Sequence, residues 1–166
     1  MNIAIIFAGG SGVRMGAGMP KQFLEINGKP IIIHTLDNFQ NSPSIDKIYI
    51  SCKKDYITTL QDLTKRFAIT KVCGIVEGGS NGQDSIYRAL RAADAENDKD
   101  AIVLIHDGVR PFVSEEVIQK NIECVKQHGS AVTCTSFFET PILSKGGEEV
   151  EEMPLKKEMF TAQAPQ

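Results

Sequence analysis

The start of this chain constrains its fold most strongly, because a buried strand runs directly into a glycine-rich loop. Residues 3–7 (IAIIF) are apolar, a pattern that predicts a strand inside a sheet. Residues 8–12 (AGGSG) are small, so their backbone can approach a ligand closely and present N–H groups to phosphate oxygens. Two cations follow, Arg14 and Lys21. Together these features predict a polyphosphate site at the carboxyl end of the first strand.

The glycine spacing separates this loop from two common nucleotide motifs. Gly10, Gly12 and Gly16 are spaced G-x-G-x-x-x-G, and no acidic residue ends a strand about 20 residues later, as a dinucleotide-binding fold requires. A Walker loop needs Ser or Thr after its lysine, whereas Gln22 follows Lys21. By spacing alone, a βα turn without a ligand remains an alternative. The two cations favour the phosphate site.

The composition narrows the class of protein. The 166 residues are enough for one domain, residues 1–166, with a substantial core. A net charge of −3 gives no general attraction to nucleic acid or to an acidic membrane surface. No apolar run reaches the roughly 18 residues of a membrane span, and no signal peptide is visible. The cysteines have no C-x-x-C spacing, which favours free thiols in the cytoplasm; they are Cys52, Cys73, Cys124 and Cys134.

Strand and helix patterns alternate along the chain, which predicts an α/β fold. We expect further strands at 45–52, 71–76 and 100–105, and helices near 30–39, 55–67, 85–93 and 114–129. Such βαβ units form a Rossmann-like, mostly parallel sheet flanked by helices, with ligands beyond the carboxyl ends of the strands. Three stretches of interest lie there: 8–21, 78–85 and 106–111.

A different pattern begins beyond Ser130. Residues 131–135 predict another strand, whereas 137–159 mix β-forming residues with a charged Gly-Gly turn. We therefore expect a protruding β-arm over about 137–159.

Five short motifs, spread over nearly the whole chain, carry a resemblance to a known enzyme family. They are 7–16 (FAGGSGVRMG), 20–23 (PKQF), 78–85 (GGSNGQDS), 106–111 (HDGVRP) and 165–166 (PQ). In this order they resemble the cytidylyltransferases that act on methylerythritol phosphate and ribitol phosphate. The resemblance implies a CTP-dependent enzyme that transfers CMP to a polyol phosphate, releases pyrophosphate and uses Mg²⁺. It also implies a C-terminal part beyond Gln166 that this sequence does not contain.

The resemblance assigns the nucleotide to the first two loops. Arg14 and Lys21 are the expected catalytic cations, because phosphoryl chemistry of this kind depends on positioned positive charge. The residues expected to bind CTP are Ala8, Gly9, Gly10, Gly12, Gly79, Ser80, Asn81 and Ser85. For Ser85, capping of the next helix is an equal alternative. The family usually carries an arginine where this chain has Gly82 or Gln83.

The acceptor is assigned to the third loop and to the arm. Asp107 and Arg110 are expected to bind it, and Asp107 is also the candidate Mg²⁺ ligand; a structural ion pair is the alternative. Thr140 and Lys156 match family positions that hold the acceptor phosphate from a partner's arm, which implies a homodimer. The alternative is a surface hairpin on a monomer.

Details of the motifs favour ribitol 5-phosphate over 2-C-methyl-D-erythritol 4-phosphate as the acceptor. These details include residues 20–23, 110–112 and 158–160, together with Val109. Two other functions remain open: a nucleotide-binding module without activity, and an NAD(P)-linked dehydrogenase of similar βαβ layout.

Overall fold

A computed structural model describes residues 1–9, 19–97 and 99–166 of the chain. The strands and helices are, in chain order, β1 (Asn2–Ala8), β2 (Glu25–Ile26), β3 (Lys29–Pro30), α1 (Ile31–Asn41), β4 (Lys47–Cys52), α2 (Ile57–Arg66), β5 (Val72–Glu77), α3 (Gly82–Glu96), β6 (Ile102–Asp107), α4 (Glu115–His128), β7 (Cys134–Ser136) and β8 (Phe160–Ala162). One-turn helices lie at Lys21–Phe23, Lys54–Tyr56 and Lys156–Glu158.

Four parallel strands form the central sheet, in the order β5-β4-β1-β6. Strand β1 lies in its interior, with Ile5 opposite Tyr49 of β4 and Ile105 of β6. The mostly parallel α/β sheet predicted from the sequence is confirmed. Because the strands are parallel, their carboxyl ends share one edge, and the loops that follow β1, β5 and β6 start from that edge.

Helices cover both faces of this sheet. The larger core lies between the sheet and α1, α2 and α4, and it includes Ile6, Leu36 and Phe39. On the other face, Ala89 and Ala93 of α3 pack against a smaller core under β1 and β4. Apolar residues on both faces explain why the strands are continuous hydrophobic runs rather than alternating patterns.

Several predicted boundaries differ from the structure by two or three residues, and two of these differences change the interpretation. Helix α3 begins at Gly82, not at Ser85, because the side chain of Asn81 caps it by accepting the Asp84 N–H at 2.9 Å. Strand β7 begins at Cys134, not at residue 131, and it pairs with β8 in a separate antiparallel ribbon. The predicted start of α4 is confirmed, since Ser114 caps it, and Gly129 ends it with a φ of 83°.

The β-arm has an antiparallel base. Strands β7 and β8 pair with Ser136 opposite Phe160, and the chain between them turns back on itself. Within the arm, Leu143 and Glu152 form an isolated antiparallel bridge rather than part of a regular strand. The arm predicted for 137–159 is therefore present, although its regular pairing lies at its base.

Two further observations concern helices and cysteines. In the ranges given above, none of the helices combines the length and the apolar character that a membrane span requires. All four cysteines are free thiols. Burial raises the pKa of the Cys52 thiol to about 11.

Candidate active site

The loops that follow β1 and β5 meet above the end of β4. The Gly78 N–H donates to the Cys52 carbonyl at 2.7 Å, so the second loop is fixed at the end of the intervening strand. A Cβ atom on Gly9 would lie 2.9 Å from Ser85 Oγ, which leaves room for glycine and little else. The structure thus brings together the described part of the predicted phosphate loop and the predicted base-recognition loop.

Ser85 holds the second loop in shape. Its buried hydroxyl accepts the Gly79 N–H at 2.9 Å and donates to the Asn81 carbonyl at 2.8 Å. The expectation that Ser85 caps α3 is corrected, since Asn81 is the cap and Ser85 lies within the first helical turn. Contact between Ser85 and a nucleotide stays a prediction, as does nucleotide binding by Ser80.

The Asp84 carboxylate, on the first turn of α3, also holds the backbone of this loop. It accepts the Ser80 N–H at 3.1 Å and pairs with Arg88 at 3.3 Å. These two contacts, the first being the larger, hold the pKa of Asp84 below its ordinary value. A Cβ atom on Gly79 would overlap this carboxylate, so the close approach of the loop to Asp84 requires glycine.

Lys21 lies on a one-turn helix that is tied to the end of β1. The neighbouring Gln22 is buried, and its Nε2 donates to the Ala8 carbonyl at 2.6 Å. Phe23 stacks on Tyr56, with ring centroids 4.8 Å apart, which joins this turn to the one after β4. The one-turn helix that carries Lys21 is therefore held close to Ala8, where the predicted phosphate loop begins. The catalytic role of Lys21 stays a prediction. Arg14, Gly10 and Gly12 lie outside the described residues.

The turn after β6 carries an acidic and a basic side chain close to each other. Asp107 Oδ1 accepts the Val109 N–H at 3.2 Å, and its Oδ2 lies 3.6 Å from Arg110 Nε. The ion pair considered as an alternative is thus present. The side chains are 29% and 52% exposed respectively, so both remain open to a ligand.

Residues near the chain end also contribute to this turn. Gln166 exchanges two backbone hydrogen bonds with Ile105 of β6, at 2.7 and 3.0 Å. This pairing brings Gln163 close to the turn, where its Oε1 accepts a hydrogen bond from Arg110 Nη1 at 3.0 Å. A cavity of about 440 Å³ opens beside Arg110, and its lining includes Gln163 and Ala164.

The predicted acceptor residues of the arm, Thr140 and Lys156, make no polar contact with this turn within the described part of a single chain. Both residues are exposed. Their predicted role needs a second chain, so it remains a prediction.

Sequence reasoning missed several side chains that shape the site. They are Gln22 and Gln163, described above, and Thr35 and Asn38 of α1, which contact the turn after β6. The sequence analysis also did not include Lys53 and Lys54 among the candidate site residues, although they follow β4 directly at the same sheet edge. Thr35 could have been noticed, because it is a polar residue on the otherwise apolar face of α1.

Asp107 is the predicted carboxylate ligand for a divalent cation. Among the described residues there is no group of three or more His, Cys, Asp or Glu side chains placed to hold a metal. Mg²⁺ is usually held by one or two carboxylates together with substrate phosphates, so Asp107 alone is compatible with it.

Comparison with known proteins identifies the family. The family model described as IspD, 2-C-methyl-D-erythritol 4-phosphate cytidylyltransferase, matches residues 2–166. The chain belongs to this family. A ribitol-5-phosphate cytidylyltransferase of Streptococcus agalactiae serotype Ia is 49% identical over 167 residues, which cover 100% of this chain and 70% of that protein.

Two other relatives support the assignment to the IspD family. A 2-C-methyl-D-erythritol 4-phosphate cytidylyltransferase of Clostridium botulinum is 37% identical, over 99% of this chain and 71% of the relative. The crystal structure of 4-diphosphocytidyl-2C-methyl-D-erythritol synthase from Anaerococcus prevotii matches with a TM-score of 0.82 and 28% identity, over 99% of this chain and 68% of that one. The predicted family is confirmed, and with it the class of enzyme, a cytidylyltransferase.

Proposed function

We propose that this protein transfers CMP from CTP to ribitol 5-phosphate, forming CDP-ribitol and pyrophosphate. The observation that carries the choice of acceptor is the 49% identity, over the whole chain, to a ribitol-5-phosphate cytidylyltransferase. The converging loops after β1, β5 and β6 support the same reaction, because they bring candidate nucleotide and acceptor residues to one edge of the sheet.

The reaction needs charge stabilisation more than it needs a protein nucleophile. An oxygen of the acceptor phosphate forms a bond to the α-phosphorus of CTP, and the bond from that phosphorus to the leaving pyrophosphate breaks. Arg14 and Lys21 would stabilise the charge that builds up on the phosphorus and on pyrophosphate. The phosphate nucleophile is already ionised near neutral pH, so the chain need not supply a general base.

The nucleotide and the acceptor would occupy different loops. The backbone of Ala8 and Gly9 would bind phosphate oxygens, and the Gly79–Asn81 backbone would meet the edge of cytosine. The acceptor phosphate would lie against Arg110. Asp107 would hold Mg²⁺ together with phosphate oxygens, and the ion would supply further positive charge to the triphosphate.

The proposal includes a homodimer in the cytoplasm, where CTP is available. Large apolar side chains are exposed along the arm, among them Phe138 at 78% and Met153 at 64%. Apolar surface of this kind favours a partner, and a second copy of the chain would cover it. Thr140 and Lys156 would then reach the partner's acceptor site.

A pyrophosphate-release assay tests the acceptor. We expect CTP to react with ribitol 5-phosphate at least about tenfold more efficiently than with 2-C-methyl-D-erythritol 4-phosphate, a difference of roughly 1.4 kcal/mol. The methylerythritol compound is the second candidate, since the family model carries its name and the Clostridium botulinum relative is 37% identical. A reversed preference would identify it as the acceptor.

A variant carrying both Arg14→Ala and Lys21→Ala tests the catalytic cations. We expect its transfer rate to fall by at least about a hundredfold, because removal of a single preorganised donor already costs about that much in other enzymes. Lys65→Ala on α2 is a control for loss of charge away from the site. Calorimetry with CTP distinguishes an inactive binding module, which would take up CTP without releasing pyrophosphate.

A further inference from the structure

Helix α1 supplies two side-chain donors to the backbone of the turn after β6. Asn38 Nδ2 donates to the Pro111 carbonyl at 2.6 Å, and Thr35 Oγ1 lies 3.1 Å from the Gly108 carbonyl. The two residues are three apart, so they lie on the same face of the helix. That face points at the turn that carries the predicted acceptor residues.

The two donors differ in what else they contact. Thr35 is fully buried, and its hydroxyl also lies 3.3 Å from the Ile31 carbonyl of its own helix. The Asn38 amide has no such local partner: within the described residues, its side chain forms one hydrogen bond, the one to Pro111. Of the two residues, Asn38 is therefore the one whose side chain hydrogen-bonds to the turn alone.

The other contacts of the turn fix Arg110 at both ends. His106 Nε2 donates to the Arg110 carbonyl at 2.9 Å, which holds the backbone. The guanidinium is held by Asp107 at 3.6 Å and by Gln163 at 3.0 Å. The hydrogen bond from Asn38 to the next carbonyl, that of Pro111, restrains the backbone immediately after Arg110.

We propose that Asn38 is a positioning residue for the acceptor site, and that its amide sets the direction from which Arg110 meets the acceptor phosphate. This inference rests on the proposed function. It assigns Asn38 an effect on the polyol phosphate rather than on CTP. Among the described residues, the side-chain hydrogen bonds within the second nucleotide loop, residues 78–85, come from Ser85, Asn81 and Asp84, and none comes from α1.

The test is a comparison of two asparagines on the same helix. Asn38→Leu keeps the size of the side chain and removes its donor, whereas Asn41→Leu changes an exposed residue at the end of α1. For Asn38→Leu we expect the KM for ribitol 5-phosphate to rise about fivefold to tenfold, as the loss of one hydrogen bond predicts. The KM for CTP should stay within about twofold of the parent value, and Asn41→Leu should resemble the parent in both.

A conservative variant and a binding measurement complete the test. Asn38→Gln retains an amide donor on a longer side chain, and we expect it to recover part of the acceptor affinity that Asn38→Leu loses. An equal rise in the KM for both substrates, or no rise in either, would overturn the inference. If Asn38→Leu does not fold, failure of the folded Asn38→Ser variant to weaken acceptor binding would also overturn it.

Calorimetry separates this inference from the proposed function. Ribitol 5-phosphate is titrated into the parent and the Asn38 variants in the presence of a non-hydrolysable CTP analogue. A parent that binds both ligands but releases no pyrophosphate from CTP contradicts the proposed function, and the affinities of the variants then decide the inference. A parent that binds no polyol phosphate contradicts both.

Discussion

His106 links the interior of the sheet to the turn that carries Arg110. Its ring packs against Phe39, with the centroids 5.0 Å apart, and its Nε2 donates to the Arg110 carbonyl. Because Nε2 carries the proton, Nδ1 is the unprotonated nitrogen, and it is buried without a hydrogen-bond partner among the described residues. A protonated ring would place a second N–H in this apolar environment, so burial lowers the pKa of His106.

This lowered pKa predicts a loss of stability in mild acid. The histidine in the unfolded chain has the ordinary pKa of 6.5, whereas in the folded protein it is lower, so below that pH the unfolded state binds more protons. The contribution of His106 should be complete above pH 6.5 and decline as the pH falls further. We expect the free energy of unfolding in urea to decrease from about pH 7 to about pH 5.

A His106→Gln variant checks the source of this decrease. Glutamine can donate to the Arg110 carbonyl but does not titrate, so the variant should show a shallower decline over the same pH range. Equal slopes for the parent and the variant would mean that other groups are responsible.

The loop between β5 and α3 depends on a close contact between its backbone and the helix that follows. Gly79 lies against the Asp84 carboxylate, and Ser85 accepts the Gly79 N–H. Gly82, the first residue of α3, has no atom within 4 Å of the position that a Cβ would take, apart from its chain neighbours and its own helix backbone. Two glycines three residues apart are thus under very different constraints.

Gly79→Ala and Gly82→Ala should therefore have opposite effects. At position 79 the added methyl group overlaps Asp84, and we expect a loss of roughly 1–3 kcal/mol in stability and a higher KM for CTP. At position 82 alanine favours the helix, by up to about 1 kcal/mol, with little change in KM. Thermal unfolding and CTP kinetics measure both; a Gly79→Ala variant with parental values would contradict the role given to this contact.

The elements were predictable where one local pattern decided them. Apolar strands, the Ser114 cap and Gly129 are all local signals, and they located β6 and α4 to within a few residues. The start of α3 was misplaced because Gly82 and Asp84 resemble loop residues when Asn81 is not considered as the cap. The ribbon of β7 and β8 was not anticipated, since a short β pattern does not specify its partner strand.

Local sequence patterns do not predict the hydrogen bonds that complete the site. Asn38 and Pro111 are 73 residues apart, and Arg110 and Gln163 are 53 apart. Such pairs follow from the order of strands in the sheet, which brings distant loops to one edge. The sequence motifs therefore indicated which loops matter, and the fold was needed to find the side chains that support them.

The arm exposes many large apolar side chains to solvent. Seven large apolar side chains between residues 138 and 160 are more than half exposed: Phe138, Ile142, Leu143, Val150, Met153, Leu155 and Phe160. Exposed apolar side chains concentrated in one segment of a protein often mark an interface. The proposed homodimer would bury these side chains and bring the exposed Thr140 and Lys156 to the partner.

A double variant of the arm, Phe138→Asp with Leu155→Asp, tests this assembly. We expect the parent to sediment as a dimer at micromolar concentration and the variant as a monomer that still binds CTP but has lost acceptor transfer by at least about tenfold. Ile26→Asp, at an exposed apolar residue outside the arm, should remain dimeric. A monomeric parent with full activity would contradict the dimer.

The interior position of β1 has a consequence for how the chain acquires its activity during synthesis. The strand that leads into the glycine loop is synthesised before both of its partner strands, and its second side is paired only when Ile105 and its neighbours have followed. Parallel pairing over such long separations is slow compared with local folding. A nascent chain that ends before β6 therefore exposes an unpaired strand edge, and nucleotide affinity should appear late in translation, together with protection from aggregation.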